Sequence, residues 1–220
     1  MKGIFVLHFS PVELYPPALN LLKSLGREGP PRTLILSTSR MEDEHRAHLF
    51  QPDPSRIKVY RPGGKKNGIV KYAVYNLATL FLLFRYRPAV VLYYESISAI
   101  PAIIYRWFFR SAKLMVHYHE YVTPREYQEG MKLVRFAHSL EKKNYHLFDW
   151  ISQTNSDRLR LFAMDEKIDD GVKERMHLFP NYPPQDWQKA PANSLSNPGR
   201  LVYVGALSLE TTYLKELVEW

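Results

Sequence analysis

The stretch 89–119, AVVLYYESISAIPAIIYRWFFRSAKLMVHYH, decides the fold. Ala89–Tyr94 is short, continuously apolar and rich in β-branched and aromatic residues, the composition of a strand buried on both faces. Ile97–Phe109 repeats apolar residues at helical spacing, with Pro101 fitting the first turn, where a missing N–H costs least. Lys113–His119 then returns to strand chemistry. Two buried strands joined by a helix predict a parallel pair with its crossover.

The same alternation continues outward. Residues 3–9 read as a strand, Pro16–Leu25 as a helix stopped by Gly26, Thr33–Ser37 as a strand, Met41–Phe50 as a polar helical stretch, and Arg56–Tyr60 as a strand. Residues 62–68 are a loop by their glycines and proline. Ile69–Tyr86 is an apolar helix interrupted by Lys71 and Asn76. It is shorter than the roughly 20 apolar residues of a membrane span, so it reads as a core or interfacial helix. Beyond the central stretch come a helix at Met131–Phe148, a strand at Trp150–Thr154, a helix capped by Ser156 and running through Phe162, and a strand at Met176–Phe179. The fold class is α/β: a Rossmann-like parallel sheet with helices on both faces.

The tail predicts a second body. Arg200–Leu207 reads as a buried strand entering a turn at Gly205, and Glu210–Trp220 as a helix with Tyr213, Leu214, Leu217 and Val218 on one face. Proline, Asn, Ser and Gln crowd the stretch before it. The expected organisation is a Rossmann-like domain at 1–183, a linker at 184–199, and the first βα unit of a truncated second domain at 200–220.

Composition narrows the chemistry. With no cysteine among 220 residues, disulfide frameworks, thiolate metal sites and cysteine nucleophiles are excluded. The first apolar run is broken by His8 and lacks a cleavage site, so it reads as a strand of a cytoplasmic protein rather than a signal peptide. The formal net charge is +8. Residues 56–113 hold eleven Lys and Arg against the lone acid Glu95, an excess of ten, which leaves the remainder at −2. Such a concentration reads either as a solvated face or as a surface for an anionic partner. No nucleic-acid motif accompanies it, so nucleic acid is not an expected partner.

In open α/β sheets, ligands bind beyond the carboxyl ends of the strands. The residues there are Ser10 and Tyr15, Glu95, His119 and Glu120, Asn155, Asn181 and, in the tail, Gly205. No Gly-x-Gly-x-x-Gly or P-loop follows the first strand, which argues against a dinucleotide site. His117 and His119 are two apart on a strand and share a face. With Glu120 they suit acid–base work, and no third ligand group nearby completes a metal site. The blander alternatives are a hydrogen-bonded core histidine at 117 and a turn cap at Glu120.

His117-Tyr-His-Glu-Tyr121, Thr154-Asn-Ser-Asp-Arg158, Phe179-Pro-Asn-Tyr-Pro-Pro184 and Leu201-Val-Tyr-Val-Gly-Ala-Leu207, in that order, resemble the GT-B fold of family 4 glycosyltransferases, across essentially the whole chain. The resemblance implies transfer of a sugar from a nucleotide-diphosphate donor to a carbohydrate or lipid-linked acceptor, with no metal or cofactor, in cell-surface polysaccharide or glycolipid synthesis. It implies a cleft-lining, catalytic place for His119, substrate contacts at Asn155 and Asn181, and a donor-side role for Gly205; position at the strand ends adds Glu120 as a catalytic candidate and Ser10, Tyr15 and Glu95 as substrate contacts. It gives the basic stretch 56–113 a function as a contact with an anionic membrane, at its cytoplasmic face. Two features depart from the family. Ser10-Pro11 stands where many members have two glycines, and Ala206 follows Gly205 without the usual Arg and Lys-Gly. A sugar-nucleotide epimerase of the same fold and a non-catalytic membrane-surface or anion-binding module are the alternatives.

Overall fold

The computed structural model describes residues 3–28, 34–43, 47–48, 50–64 and 68–181, within a compact unit at Met1–Pro183. The expected linker at 184–199 and the βα unit at 200–220, with Gly205, lie outside the described residues.

Seven strands form the sheet: β1 (Ile4–His8), β2 (Leu34–Thr38), β3 (Ile57–Tyr60), β4 (Val90–Tyr94), β5 (Lys113–Tyr118), β6 (Trp150–Gln153) and β7 (Met176–Leu178). Their order is β3-β2-β1-β4-β5-β6-β7, and every neighbouring pair is parallel. The helices are α1 (Pro16–Glu28), α2 (Gly68–Tyr86), α3 (Ala99–Phe108), α4 (Pro124–Glu129), α5 (Lys132–Asn144), α6 (Ser156–Asp165) and the single turn α7 (Asp170–Lys173). The α/β class predicted from the alternation is the class observed.

Side-chain alternation along the strands divides the interior. Phe5, Leu7, Val91, Tyr93, Leu114, Val116 and Ile151 join Leu83 of α2 and Ala102 and Ile103 of α3 in one core. Val6, Leu36, Leu92 and Tyr94 face the other way, onto Ala18, Leu19 and Leu22 of α1. Helix α2 is long and apolar enough to cross a membrane, yet one of its faces is committed to this sheet. Tyr72, Tyr75, Thr79, Leu82 and Leu83 are buried, the Tyr75 hydroxyl donates to the Ser37 carbonyl at 3.1 Å, and Thr79 and Ser37 share a hydroxyl bond at 2.7 Å.

Several local expectations change. Asn155, not Ser156, caps α6: it has extended backbone, and its side-chain oxygen accepts the Arg158 N–H at 2.9 Å. That helix runs on to Asp165. Helix α4 went unread because it is short and polar, but Thr123 and Glu126 close a reciprocal capping box around it. Met41–Asp43 are not helical, and most of the remaining stretch to residue 50 lies outside the described residues. The cap assignment is testable by urea unfolding. Asn155→Ala is expected to lower stability by about 1 kcal/mol, whereas Ser156→Ala stays within about 0.5 kcal/mol of the parent.

Candidate functional site at the switch point of the sheet

From β1 the chain builds outward to β3, then returns to the other side of β1 to lay down β4 through β7. The carboxyl ends of β1 and β4 therefore flank the point where strand order reverses, the place where open α/β sheets form a crevice. His8 ends β1, Tyr94 ends β4 with Glu95 next to it, and His119 follows β5, so the three strands nearest that point each deliver a titratable group.

The loop after β1 is held rigidly. The Ser10 carbonyl accepts His8 Nδ1–H at 2.7 Å and the Thr38 hydroxyl at 2.8 Å, and Thr38 Oγ1 accepts the Val12 N–H at 3.1 Å. Across the switch point, the Phe9 N–H donates to Ser98 Oγ at 2.9 Å. Buried Glu13 pairs with Arg61, which also donates to the Ser39 carbonyl at 2.9 Å. This bulky, tied loop brings Tyr15 over the histidines.

Four rings close on one another there. His119 stacks on Tyr94 at 4.9 Å and 13° and on Tyr15 at 5.3 Å and 22°. His8 lies 4.3 Å from Tyr15, 5.3 Å from Tyr94 and 5.8 Å from His119. His117 meets His119 edge-on at 5.0 Å. His8, His117 and His119 are all buried. Yet His8 Nε2, both ring nitrogens of His119 and the Tyr94 hydroxyl have no hydrogen-bond partner among the described residues. Buried polar atoms are nearly always paired, so unpaired ones gathered at the ends of three adjacent strands set this edge of the sheet apart.

Burial keeps these imidazoles neutral. It drives His8 down to about 3, against the Ser10 hydrogen bond and with help from nearby His119. It takes His117 to about 3 and His119 to about 4. In the neutral forms each ring offers one donor and one acceptor nitrogen. His117 Nδ1 bonds the Ser152 hydroxyl at 2.9 Å, which in turn donates to the Val116 carbonyl at 3.2 Å.

Glu95 is the strained element. Its φ of 58° lies in the region that favours glycine, a conformation that costs about 1–3 kcal/mol and recurs at functional sites. The side chain crosses to β5, where Oε1 accepts the His119 N–H at 2.6 Å. Burial raises its carboxyl to about 8, against the N–H groups of His119 and Glu120. On the far side of the His119 segment, Arg158 donates to the His119 carbonyl at 2.7 Å and to Thr154 Oγ1 at 3.0 Å. His119 is thus fixed at both backbone ends. Behind Glu95, fully buried Glu141 accepts hydroxyl protons from Tyr93 at 2.7 Å and Tyr118 at 3.1 Å, and burial raises it to about 7.

Of the predicted residues, Tyr15, Glu95 and His119 come together. Ser10 contributes its carbonyl to His8. Glu120 is exposed beside His119. Asn155 is exposed and occupied as a helix cap. Asn181 is exposed, and its side chain approaches His117 closely enough to favour the charged imidazole slightly. The sequence reading missed His8 and Tyr94. Their signal was present, a histidine and a tyrosine closing two otherwise apolar strands, but only the strand order places them together. Among the described residues, no group of three or more His, Cys, Asp or Glu is placed to hold a metal.

No protein-family model matches the chain, and no curated protein matches it. Solved structures do. The UDP-GlcNAc 2-epimerase from Neisseria meningitidis bound to UDP-GlcNAc aligns with a TM-score of 0.53 at 12% identity, covering 81% of this chain and 45% of that one. The corresponding values for the UDP-N-acetylglucosamine 2-epimerase from Rickettsia bellii are 0.52, 12%, 80% and 44%. For the sucrose-phosphate synthase from Thermosynechococcus elongatus they are 0.52, 13%, 82% and 48%. At this identity the likeness is one of fold, and the chain spans less than half the length of these structures.

Neutral burial of His119 has a pH signature. The unfolded chain binds a proton near 6.5 and the folded one only near 4, so stability drains away as pH falls through that window. His119→Phe is expected to show a flatter loss of urea midpoint between those two pH values than the parent does.

Proposed function

We propose that this chain is the acceptor-side half of a glycosyltransferase that uses a nucleotide-diphosphate sugar. The observation that carries the reading is the set of unpaired, neutral imidazole nitrogens and the Tyr94 hydroxyl around aromatic rings at the switch-point crevice. A sugar presents many hydroxyls and apolar C–H faces at once. A site with several donors and acceptors beside tyrosine rings matches both. The fold shared with proteins that carry UDP-GlcNAc 2-epimerase and sucrose-phosphate synthase names supports the same substrate class.

In the transfer, the bond from the sugar's anomeric carbon to the diphosphate breaks, and a bond to an acceptor oxygen forms. The acceptor's proton leaves to a base, and the diphosphate departs with the electron pair. His119, locked by Glu95 and Arg158, hydrogen-bonds a sugar hydroxyl. Exposed Glu120 is the carboxylate beside it that takes the acceptor proton. Glu95 acts through His119, since its carboxyl accepts that backbone N–H. Donor binding, including any role for Gly205, falls to the residues after the linker at 184–199.

A second reading, a sugar-nucleotide epimerase, is favoured by the fold shared with the UDP-GlcNAc 2-epimerases. Product analysis separates the two. The protein containing this chain, incubated with UDP-sugars and a glycan acceptor, is expected to release UDP and lengthen the acceptor. An isomerised UDP-sugar with no UDP released would select the epimerase, and neither product would sink both. His119→Ala is expected to cut turnover about tenfold to a hundredfold, the loss of one or two buried hydrogen bonds.

A further inference from the structure

His119 is sealed as well as unpaired. It is 6% exposed, and both of its ring nitrogens are buried without a hydrogen-bond partner among the described residues. Two tyrosine rings stack on it, Tyr94 at 4.9 Å and Tyr15 at 5.3 Å. His8 Nε2 is likewise buried and unpaired, with the Tyr15 ring 4.3 Å from the imidazole. A ligand hydroxyl can reach either histidine only when part of this cover moves.

Most of the cover is fixed. The His119 backbone is held by Glu95 at its N–H and by Arg158 at its carbonyl. Tyr94 closes β4, is 1% exposed and belongs to the core. His8 is paired in register with Thr38 of β2, and its ring is tied to the Ser10 carbonyl. Tyr15 differs. It is only half-buried and stands between exposed Leu14 and Pro16. Its backbone is pinned, the N–H to the Val12 carbonyl and the carbonyl to the Leu19 N–H, each at 3.0 Å. Its movement is therefore a rotation of the ring between staggered side-chain positions, which breaks no strand or helix pairing.

We propose that the Tyr15 side chain is the gate of the crevice: turned in, its ring shuts off the imidazoles of His119 and His8, and turned out into solvent, it uncovers them to a ligand. Each position offsets a loss with a gain. Closure keeps the ring contacts with both histidines and leaves their nitrogens unpaired, whereas opening gives up those contacts and lets water or a ligand hydroxyl bond the nitrogens. A ligand that bonds them selects the open position. That this ligand is a sugar rests on the glycosyltransferase reading; the gate itself does not.

Diethyl pyrocarbonate, which acylates unprotonated imidazole nitrogens that it can touch, tests this, with peptide mass mapping of the 220-residue chain to follow each histidine. At about pH 7.5, above the ordinary imidazole value, access rather than protonation sets the rate. Exposed His146 and His177 give the open rate. His138, buried between Tyr127 and Glu166, reports general unfolding. His119 in the parent is expected to react at about 0.1–10% of the open rate, the share of a minor state. That rate should stay nearly flat in low urea, because a turning ring exposes little surface. Tyr15→Ala should speed His119 and His8 about tenfold or more and leave His138 unchanged, while Tyr15→Phe, which keeps the ring, should match the parent. A parent His119 as fast as His146, or a His119 no faster in Tyr15→Ala than in the parent, overturns the gate. So does a parent His119 rate that climbs with urea in step with His138, a readout that needs no variant to fold. A gated protein that neither releases UDP nor isomerises a UDP-sugar would sink the transferase reading and leave the gate standing.

Discussion

Parallel pairing is the constraint on which the rest depends. A sheet in which all seven strands run the same way needs a crossover between each successive pair, and it delivers every strand's carboxyl end to one edge. The loop after β1, the strained residue after β4 and the histidine after β5 could not otherwise meet, since they are separated by tens of residues. The reversal of strand order between β1 and β4 then decides which of these ends become neighbours. The histidine–tyrosine cluster is therefore a product of topology before it is a product of any local motif.

Glu95 shows how the edge is made rigid. A backbone conformation suited to glycine is kept by a larger residue whose carboxyl reaches across and accepts the N–H of His119, just after β5. The Phe9–Ser98 bond and the Arg158 clamp do the same on the two neighbouring strands. Three side chain–backbone bonds thus link the ends of four strands, β1, β4, β5 and β6. Unpaired ring nitrogens can persist in such a frame, because the surrounding atoms are not free to collapse onto them.

Much of this architecture was legible in the sequence. Continuous apolar runs such as Val90–Tyr94 can be satisfied only by burial on both faces, so class and strand positions followed from composition. Local chemistry was less legible where two residues competed for a role. Asn155 and Ser156 are both good caps, and only the backbone angles choose Asn155. The site was half legible. Tyr15, Glu95 and His119 follow from the strand-end rule, but His8 and Tyr94 depend on which strands are adjacent, a property of spatial order that a linear reading does not contain. Glu95 stands at a strand end in the sequence, and only the fold shows that its carboxyl also accepts the amide of His119.

The two raised carboxyls have a consequence for the thermodynamics of folding. At neutral pH an unfolded glutamate is ionised, whereas Glu95, raised to about 8, and Glu141, raised to about 7, retain protons in the native state. Folding therefore draws protons from the solvent at these two positions, while the three buried imidazoles release whatever fraction they held when unfolded. The chain and its buffer exchange protons in every folding event. Its calorimetric enthalpy accordingly contains the buffer's own heat of ionisation and changes when one buffer is replaced by another at the same pH.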